Sequence, residues 1–159
     1  MSLDKGQMPE IDAKPLRFAV CASRFNQKLV DALLKNCLKT LRASGVSKKN
    51  ITVWRVPGAA ELPYMCNMLV QTGDYDAAIA LGVVVAGETP HHMIIGSSTA
   101  GALQAIAAST TIPTINGIIV ANTLEQARAR TVGKIARGRE FAEAAIEMAY
   151  YSTRFEPQA

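Results

Sequence analysis

Apolar and polar residues along the chain alternate with two different spacings, and this pattern predicts strands alternating with helices. Short runs rich in branched apolar residues and bounded by Gly, Pro or polar residues predict strands at residues 16–22, 51–56, 77–85 and 113–120. Helical spacing of apolar residues follows each run, most clearly at Val30, Leu33, Leu34, Cys37, Leu38 and Leu41. Further helices are predicted at residues 62–70, 97–109 and 123–130, and over the stripe Phe141, Ala144, Ala145, Met148 and Ala149.

Strands that alternate with helices predict an α/β fold. Each strand-helix-strand unit favours parallel pairing through a right-handed crossover. We therefore expect a three-layer αβα sandwich with a four-stranded parallel sheet, flavodoxin-like in architecture. Residues 1–15 contain Gly6, Pro9 and Pro15 without periodicity, so they predict an N-terminal arm, disordered or docked on a neighbouring subunit, before a single domain over residues 16–159.

The composition bounds the partners of the chain. Its 159 residues carry a formal charge of +4, but the basic residues are spread out and lack interleaved aromatics. A small anionic ligand is therefore favoured over a nucleic acid. Since 49% of the residues are hydrophobic and only 19% are charged, we also expect part of the surface to be buried in a homo-oligomer.

Sequence features also predict the compartment. No run approaches eighteen apolar residues, and no secretory signal opens the chain, so neither a membrane nor an exported location is expected. The scattered residues Cys21, Cys37 and Cys66 are typical of buried free thiols in a reducing compartment. The prediction is a cytoplasmic protein.

The run from Leu81 to His92 carries the most chemistry. It predicts a buried strand that delivers a loop at the carboxyl end of the sheet, where α/β proteins bind ligands. In that loop Gly87 permits close backbone approach, and Glu88 and Thr89 offer amide and hydroxyl groups to an oxyanion such as phosphate. His91 offers an imidazole for proton transfer, although an ordinary loop histidine is the alternative interpretation.

Three further charged residues have two interpretations each. Glu61, after the second strand, is either a ligand for hydroxyl groups or a first-turn glutamate favoured by the helix dipole. Arg130 and Arg137 are either solvated charges or guanidinium partners of a phosphate. No glycine-rich dinucleotide or nucleoside-triphosphate motif is present, and the His91-His92 pair lacks further ligands, so we expect neither cofactor nor metal.

Four motifs together resemble the lumazine synthase family over roughly residues 16 to 150. They are Ala22-Ser23-Arg24-Phe25-Asn26, Val56-Pro57-Gly58-Ala59-Ala60-Glu61-Leu62-Pro63, Gly82 through His91, and Asn122-Thr123-Leu124-Glu125-Gln126-Ala127 ending at Arg130. The resemblance implies condensation of 5-amino-6-(D-ribitylamino)uracil with 3,4-dihydroxy-2-butanone 4-phosphate to 6,7-dimethyl-8-ribityllumazine. It also implies a site between adjacent subunits of a pentamer, which some members assemble into a 60-subunit shell.

The resemblance assigns a role to each matched residue. It implies stacking of the pyrimidine on Phe25, proton transfer by His91, and a phosphate site closed by Arg130 of a neighbouring subunit. The substrate-binding residues are then Phe25, Asn26, Ala59, Ala60, Glu61, Val84, Val85 and Asn116, and the phosphate-binding residues are Gly87, Glu88, Thr89, Arg130 and Arg137.

The chain also departs from the family pattern. Asn116 stands where the family usually has an aromatic residue, Ala86 where it often has Arg, and Arg137 or Lys134 takes the place of its lysine. The departures at Asn116 and Arg137 motivate one alternative function, a non-catalytic flavin- or lumazine-binding shell protein. A related riboflavin-forming synthase is a further alternative.

Overall fold

The structure is a computed structural model and describes residues 6–133 and 135–155. Strands and helices alternate along this part of the chain. They are β1 (Phe18–Ser23), α1 (Gln27–Ala43), β2 (Ile51–Val56), α2 (Leu62–Val70), β3 (Ala77–Val85), α3 (His91–Thr110), β4 (Thr114–Ala121), α4 (Leu124–Thr131) and α5 (Gly138–Ser152). Short 3-10 turns at Lys48–Asn50 and Ala59–Glu61 precede β2 and α2.

The four strands form one parallel sheet in the order β2-β1-β3-β4. Helices α1 and α5 cover one face, and α2 and α3 cover the other. The predicted α/β architecture, a flavodoxin-like three-layer sandwich, is thus confirmed. The chain runs outward in opposite directions from β1 and β3, so the carboxyl ends of these two strands flank the switch point where such sheets bind ligands.

Alternation along β1 divides the core between the two faces. Phe18 and Val20 point toward α1 and α5, whereas Ala19 and Cys21 point toward α2 and α3. All four side chains are fully buried. Because both faces of a parallel sheet are covered by helices, its central strands consist of continuous apolar runs. For this reason β1 and β3 could be predicted from the sequence.

Helix α3 begins at His91, earlier than the predicted start at residue 97. The prediction was wrong because it started from the small-residue stretch, whereas a first turn needs no apolar periodicity. Pro90 caps the helix, and the Met93 amide donates to its carbonyl over 3.0 Å. His91 therefore lies at the first position of a helix and not in a loop.

The buried stripe of α5 also differs from the prediction. Ala145 and Ala149 are buried as expected, but Met148 is 46% exposed. The remaining buried side chains are Ala142 and Ile146. The stripe is thus rotated from the predicted one, because α5 packs against both α1 and the sheet.

The segment before β1 contacts the core. Ala13 is fully buried and Ile11 packs against the α1 side of the core, whereas residues 6–10 are exposed. Residues 1–5 of the predicted arm lie outside the described residues, and the division at residue 15 stays a prediction. The three cysteines are free and buried, as predicted. Within the described ranges, no helix has the length and apolar character needed to cross a membrane.

Candidate active site

The turn after β1 joins the ends of three strands. The amides of Arg24 and Phe25 donate to the carbonyl of Pro57, over 3.2 and 3.1 Å. On the other side, Asn26 Nδ2 donates to the Val83 carbonyl over 2.8 Å. Asn26 adopts a left-handed backbone conformation, with φ of 55°, which Asn tolerates better than most residues. These contacts fix the turn at the switch point between β1 and β3.

The aromatic ring of Phe25 lies open to solvent on this turn. Its side chain is 70% exposed, although large aromatic groups normally bury their faces. One part of the ring lies against Gly58, where an added Cβ would stand 2.9 Å from Phe25 Cδ2. An exposed, backbone-supported aromatic face beside the strand ends is suited to stacking on a planar ligand.

Glu61 closes the start of the helical segment that follows β2. Its Oε2 accepts a 2.7 Å hydrogen bond from the Gly58 amide, as in a capping box. Glu61 is nevertheless exposed, as is Ala60, while Ala59 is buried beneath them. Glu61 therefore caps the start of the helical segment, and its exposed carboxylate remains accessible at the carboxyl end of the sheet.

The segment after β3 offers backbone and a helix start to a ligand. Gly87, Glu88 and Thr89 are exposed, and a Cβ on Gly87 would meet nothing within 4 Å. The segment leads directly into α3, a 20-residue helix whose first residue, His91, is also exposed. First-turn amides and the helix dipole favour an anion at such a point. The arrangement is suited to a phosphate group beside an imidazole.

Val84 and Val85 face opposite layers of the sandwich. Val84 packs with the α2 and α3 side of the core, and Val85 with the α1 side. Only the Val84 side chain therefore shares a face with Ala59. The expectation that both residues bind the ring edge stays a prediction. For Val85 the contact would have to come from its backbone, because its side chain faces the other layer.

Asn116 is not brought to this end of the sheet within one chain. It pairs with Ala80 in the first half of β4, whereas the carboxyl end of the strand, Ala121, pairs with Val85. The separation along β4 amounts to roughly 16 Å at the usual rise per residue. Asn116 is exposed, and its Oδ1 accepts a 3.1 Å hydrogen bond from the Ile118 amide.

The two predicted phosphate arginines lie together on the α1 side of the molecule. The Arg137 amide donates to the Arg130 carbonyl over 2.9 Å. Their guanidinium groups contact their own helices: Arg130 donates to the Gln126 carbonyl, and Arg137 pairs with Glu140 at 3.1 Å. The rival residue Lys134 lies outside the described residues.

The helix that carries Arg130 begins as predicted. The Gln126 amide donates to Thr123 Oγ1 over 3.2 Å, and Gln126 Oε1 accepts from the Asn122 amide over 3.0 Å. Thr123 is thus the N-cap of α4, whereas the Gln126 side chain reaches the amide of the residue before the cap and not that of Thr123 itself, so only half of a capping box forms. Hydrogen bonds from its own backbone amide and from Thr123 hold the pKa of Glu125 below its usual value.

Unpaired buried polar atoms concentrate near the same end of the sheet. Among the described residues, Ser23 Oγ and His92 Nδ1 are buried without a hydrogen-bond partner. Ser23 ends β1, and His92 is the second residue of α3. Buried orphan groups are rare in folded proteins, and a catalytic role or local strain is among their explanations. No group of three potential metal-ligating side chains occurs within residues 6–133 and 135–155.

Sequence reasoning missed two contacts that shape the site. One is the packing of Phe25 on Gly58. The other is Arg55, which donates to the Ser23 carbonyl over 3.2 Å and pairs with Asp31. The only signal in the sequence was a charged residue near the end of the second strand, and by itself it suggested no partner.

Comparison with known proteins identifies the relatives of the chain. The family model described as 6,7-dimethyl-8-ribityllumazine synthase matches residues 15–153. Among similar proteins bearing the same description, one from Salinibacter ruber is 42% identical over 142 residues, covering 88% of this chain and 90% of the relative. One from Paracidovorax citrulli is 38% identical over 146 residues, covering 92% and 93%. One from Bordetella petrii is 37% identical over 150 residues, covering 94% and 84%.

Proposed function

The chain belongs to the 6,7-dimethyl-8-ribityllumazine synthase family, and on that premise we propose that its exposed residues at the carboxyl end of the sheet form half of a shared catalytic cleft. The chain is a transferase of riboflavin biosynthesis. It condenses 5-amino-6-(D-ribitylamino)uracil with 3,4-dihydroxy-2-butanone 4-phosphate to 6,7-dimethyl-8-ribityllumazine, with release of phosphate and water.

One observation carries the assignment of the site. The Asn26 side chain bonds the Val83 carbonyl across the switch point, so the turn bearing Phe25 and the strand leading to His91 are held side by side. Open α/β sheets bind ligands at such a point. An aromatic face, an exposed carboxylate, a glycine-containing loop and an imidazole all converge there.

The residues near the turn after β1 bind the ribitylaminouracil in this proposal. Phe25 stacks on the pyrimidine ring, with Asn26 shaping the turn beneath it. The segment Ala59–Glu61 binds the ribityl hydroxyls through backbone and carboxylate, and Val84 and Val85 border the ring.

The ketone phosphate binds beside the ring. Gly87, Glu88 and Thr89 receive its phosphate at the start of α3. His91 takes and returns protons while the ring amine attacks the ketone, the imine forms and phosphate leaves. Holding two substrates together supplies much of the acceleration.

A second copy of the chain completes the cleft in this proposal. Asn116 lies far from the carboxyl end of its own sheet, so it serves the site of a neighbouring chain, as do Arg130 and Arg137. Exposed apolar side chains support such an assembly; they include Val53, Trp54, Tyr64, Met68, Met93 and Ile94. We propose a ring of five, on its own or assembled into a 60-subunit shell.

A subunit-mixing experiment tests the shared cleft. His91→Ala and Arg130→Ala chains are each purified, unfolded together and refolded as a mixture. If one cleft takes His91 from one chain and Arg130 from its neighbour, random assembly of an equal mixture restores about one quarter of the sites, because each of the two positions holds the intact residue in about half of the cases. Activity no greater than the sum of the two separate variants would contradict a shared cleft.

The synthase activity has two alternatives, a ligand-binding shell protein and a riboflavin-forming enzyme. The relatives favour the synthase over a ligand-binding shell protein or a riboflavin-forming enzyme. Mixing both substrates and recording lumazine absorbance distinguishes the binder, and product analysis after supplying lumazine alone distinguishes the riboflavin-forming enzyme. Buried free thiols are typical of proteins in a reducing compartment. We therefore propose that the protein is located in the cytoplasm.

A further inference from the structure

Arg55 connects three elements around the turn that bears Phe25. It lies near the end of β2, and its side chain is 31% exposed. Its Nη1 donates to the Ser23 carbonyl at the end of β1 over 3.2 Å. Its Nη2 donates to Asp31 Oδ1 in the first half of α1. One guanidinium thus bridges the strand before the turn and the helix after it.

The bridge acts on the side of the turn away from β3. On the β3 side, Asn26 holds the turn through the Val83 carbonyl. On the β2 side, the backbone of Pro57 accepts from the turn amides, and Arg55 adds the side-chain support. The Phe25 ring is mostly exposed, so its direction depends on how firmly this backbone is held.

A guanidinium is better suited than an ammonium to hold both partners at once. Its planar fork presents separate N–H groups to a carbonyl and to a carboxylate, whereas an ammonium is a single point charge on a flexible stem. Asp31 orients the fork and compensates its charge. Neither side chain is among the residues assigned to the substrates.

We propose that Arg55, oriented by Asp31, is a positioning residue that sets the direction of the Phe25 ring and thereby the affinity for the ribitylaminouracil. The inference rests on the proposed stacking of that substrate on Phe25. It gives Arg55 no role toward the ketone phosphate, which is assigned to the start of α3 and to arginines of a neighbouring chain.

Steady-state kinetics with each substrate varied in turn test the proposal. We expect Arg55→Lys and Asp31→Asn to raise KM for the ribitylaminouracil roughly 5- to 30-fold, less than the full loss of a charge-assisted hydrogen bond, because Arg55 acts on the substrate only through the turn. KM for the ketone phosphate should stay within about twofold, because the phosphate contacts lie elsewhere. The matched control is Arg139→Lys, which alters the exposed ion pair of Arg139 with Glu143 on α5, and it should change neither constant.

A binding measurement makes the test independent of turnover. The dissociation constant of 6,7-dimethyl-8-ribityllumazine, followed by its fluorescence, should rise in both variants by a factor similar to that for KM. Equal increases in both KM values, or an unchanged lumazine affinity in folded Asp31→Asn, would overturn the positioning role. Failure of the wild-type chain to form lumazine would instead overturn the proposed function, while the binding measurement still decides the role of Arg55.

Discussion

A Cβ atom placed on Gly58 would lie 2.9 Å from Cδ2 of Phe25 and 3.1 Å from Oε2 of Glu61. Gly58 has an extended backbone, with φ of −138°, so no left-handed conformation demands glycine there. Glycine suits this position because the Phe25 ring and the Glu61 carboxylate occupy the space that a side chain would need. The missing side chain lets the aromatic ring lie against the backbone that binds the Glu61 carboxylate.

We therefore expect Gly58→Ala to weaken binding of the ribitylaminouracil. The exposed Phe25 ring can move away, so the free energy of unfolding should fall by less than about 1 kcal/mol. Displacement of the ring should raise KM for this substrate by roughly 3- to 10-fold, since stacking depends on ring placement. Gly101→Ala is the control, because a Cβ there meets nothing within 4 Å inside α3. An unchanged KM in Gly58→Ala would contradict the stacking role.

The His91→Ala variant should lose chemistry more than binding. Removal of a proton-transferring side chain slows turnover by roughly 10²- to 10⁴-fold at most. Substrate-binding residues remain, so lumazine affinity should change little. The measurement is lumazine formation at saturating substrates, with Ser97→Ala on the exposed side of α3 as the control. Wild-type turnover in His91→Ala would remove His91 from the mechanism.

Arg130→Ala should affect the phosphate substrate selectively. Loss of a charge-assisted contact worth about 1.5–3 kcal/mol predicts roughly a 10- to 150-fold rise in KM for the ketone phosphate. KM for the ribitylaminouracil should not change. Arg128→Ala provides a matched control, because Arg128 is exposed on the same helix. Similar losses for both substrates would refute the phosphate role.

Stability should fall in alkaline solution partly because of Cys37. Burial raises the pKa of this thiol from 9.0 to about 12, so the folded state retains the proton after the unfolded chain has lost it. This stabilising contribution is complete below pH 9 and is lost as the pH rises toward 12. Urea unfolding at successive pH values should show a shallower decline for Cys37→Ala than for wild type. Parallel declines would contradict the linkage.

The sequence by itself determined most of the fold. The bounds predicted for β2, α2 and β3 agree with the structure, and Thr123 caps the start of α4 close to the predicted start at residue 123. These features depend on local periodicity and on local hydrogen bonds, which the order of residues specifies directly. The family motifs likewise identified candidate residues for the site, including Phe25, Glu61 and His91.

Only the tertiary structure decided how those residues stand relative to one another. Asn26 bonds Val83, and Arg55 bonds Ser23, across 57 and 32 positions of sequence. No local pattern encodes such contacts, since they arise when strands from distant segments pair and their side chains meet. The same long-range packing placed Val84 and Val85 on opposite faces and kept Asn116 away from the carboxyl end of its own sheet.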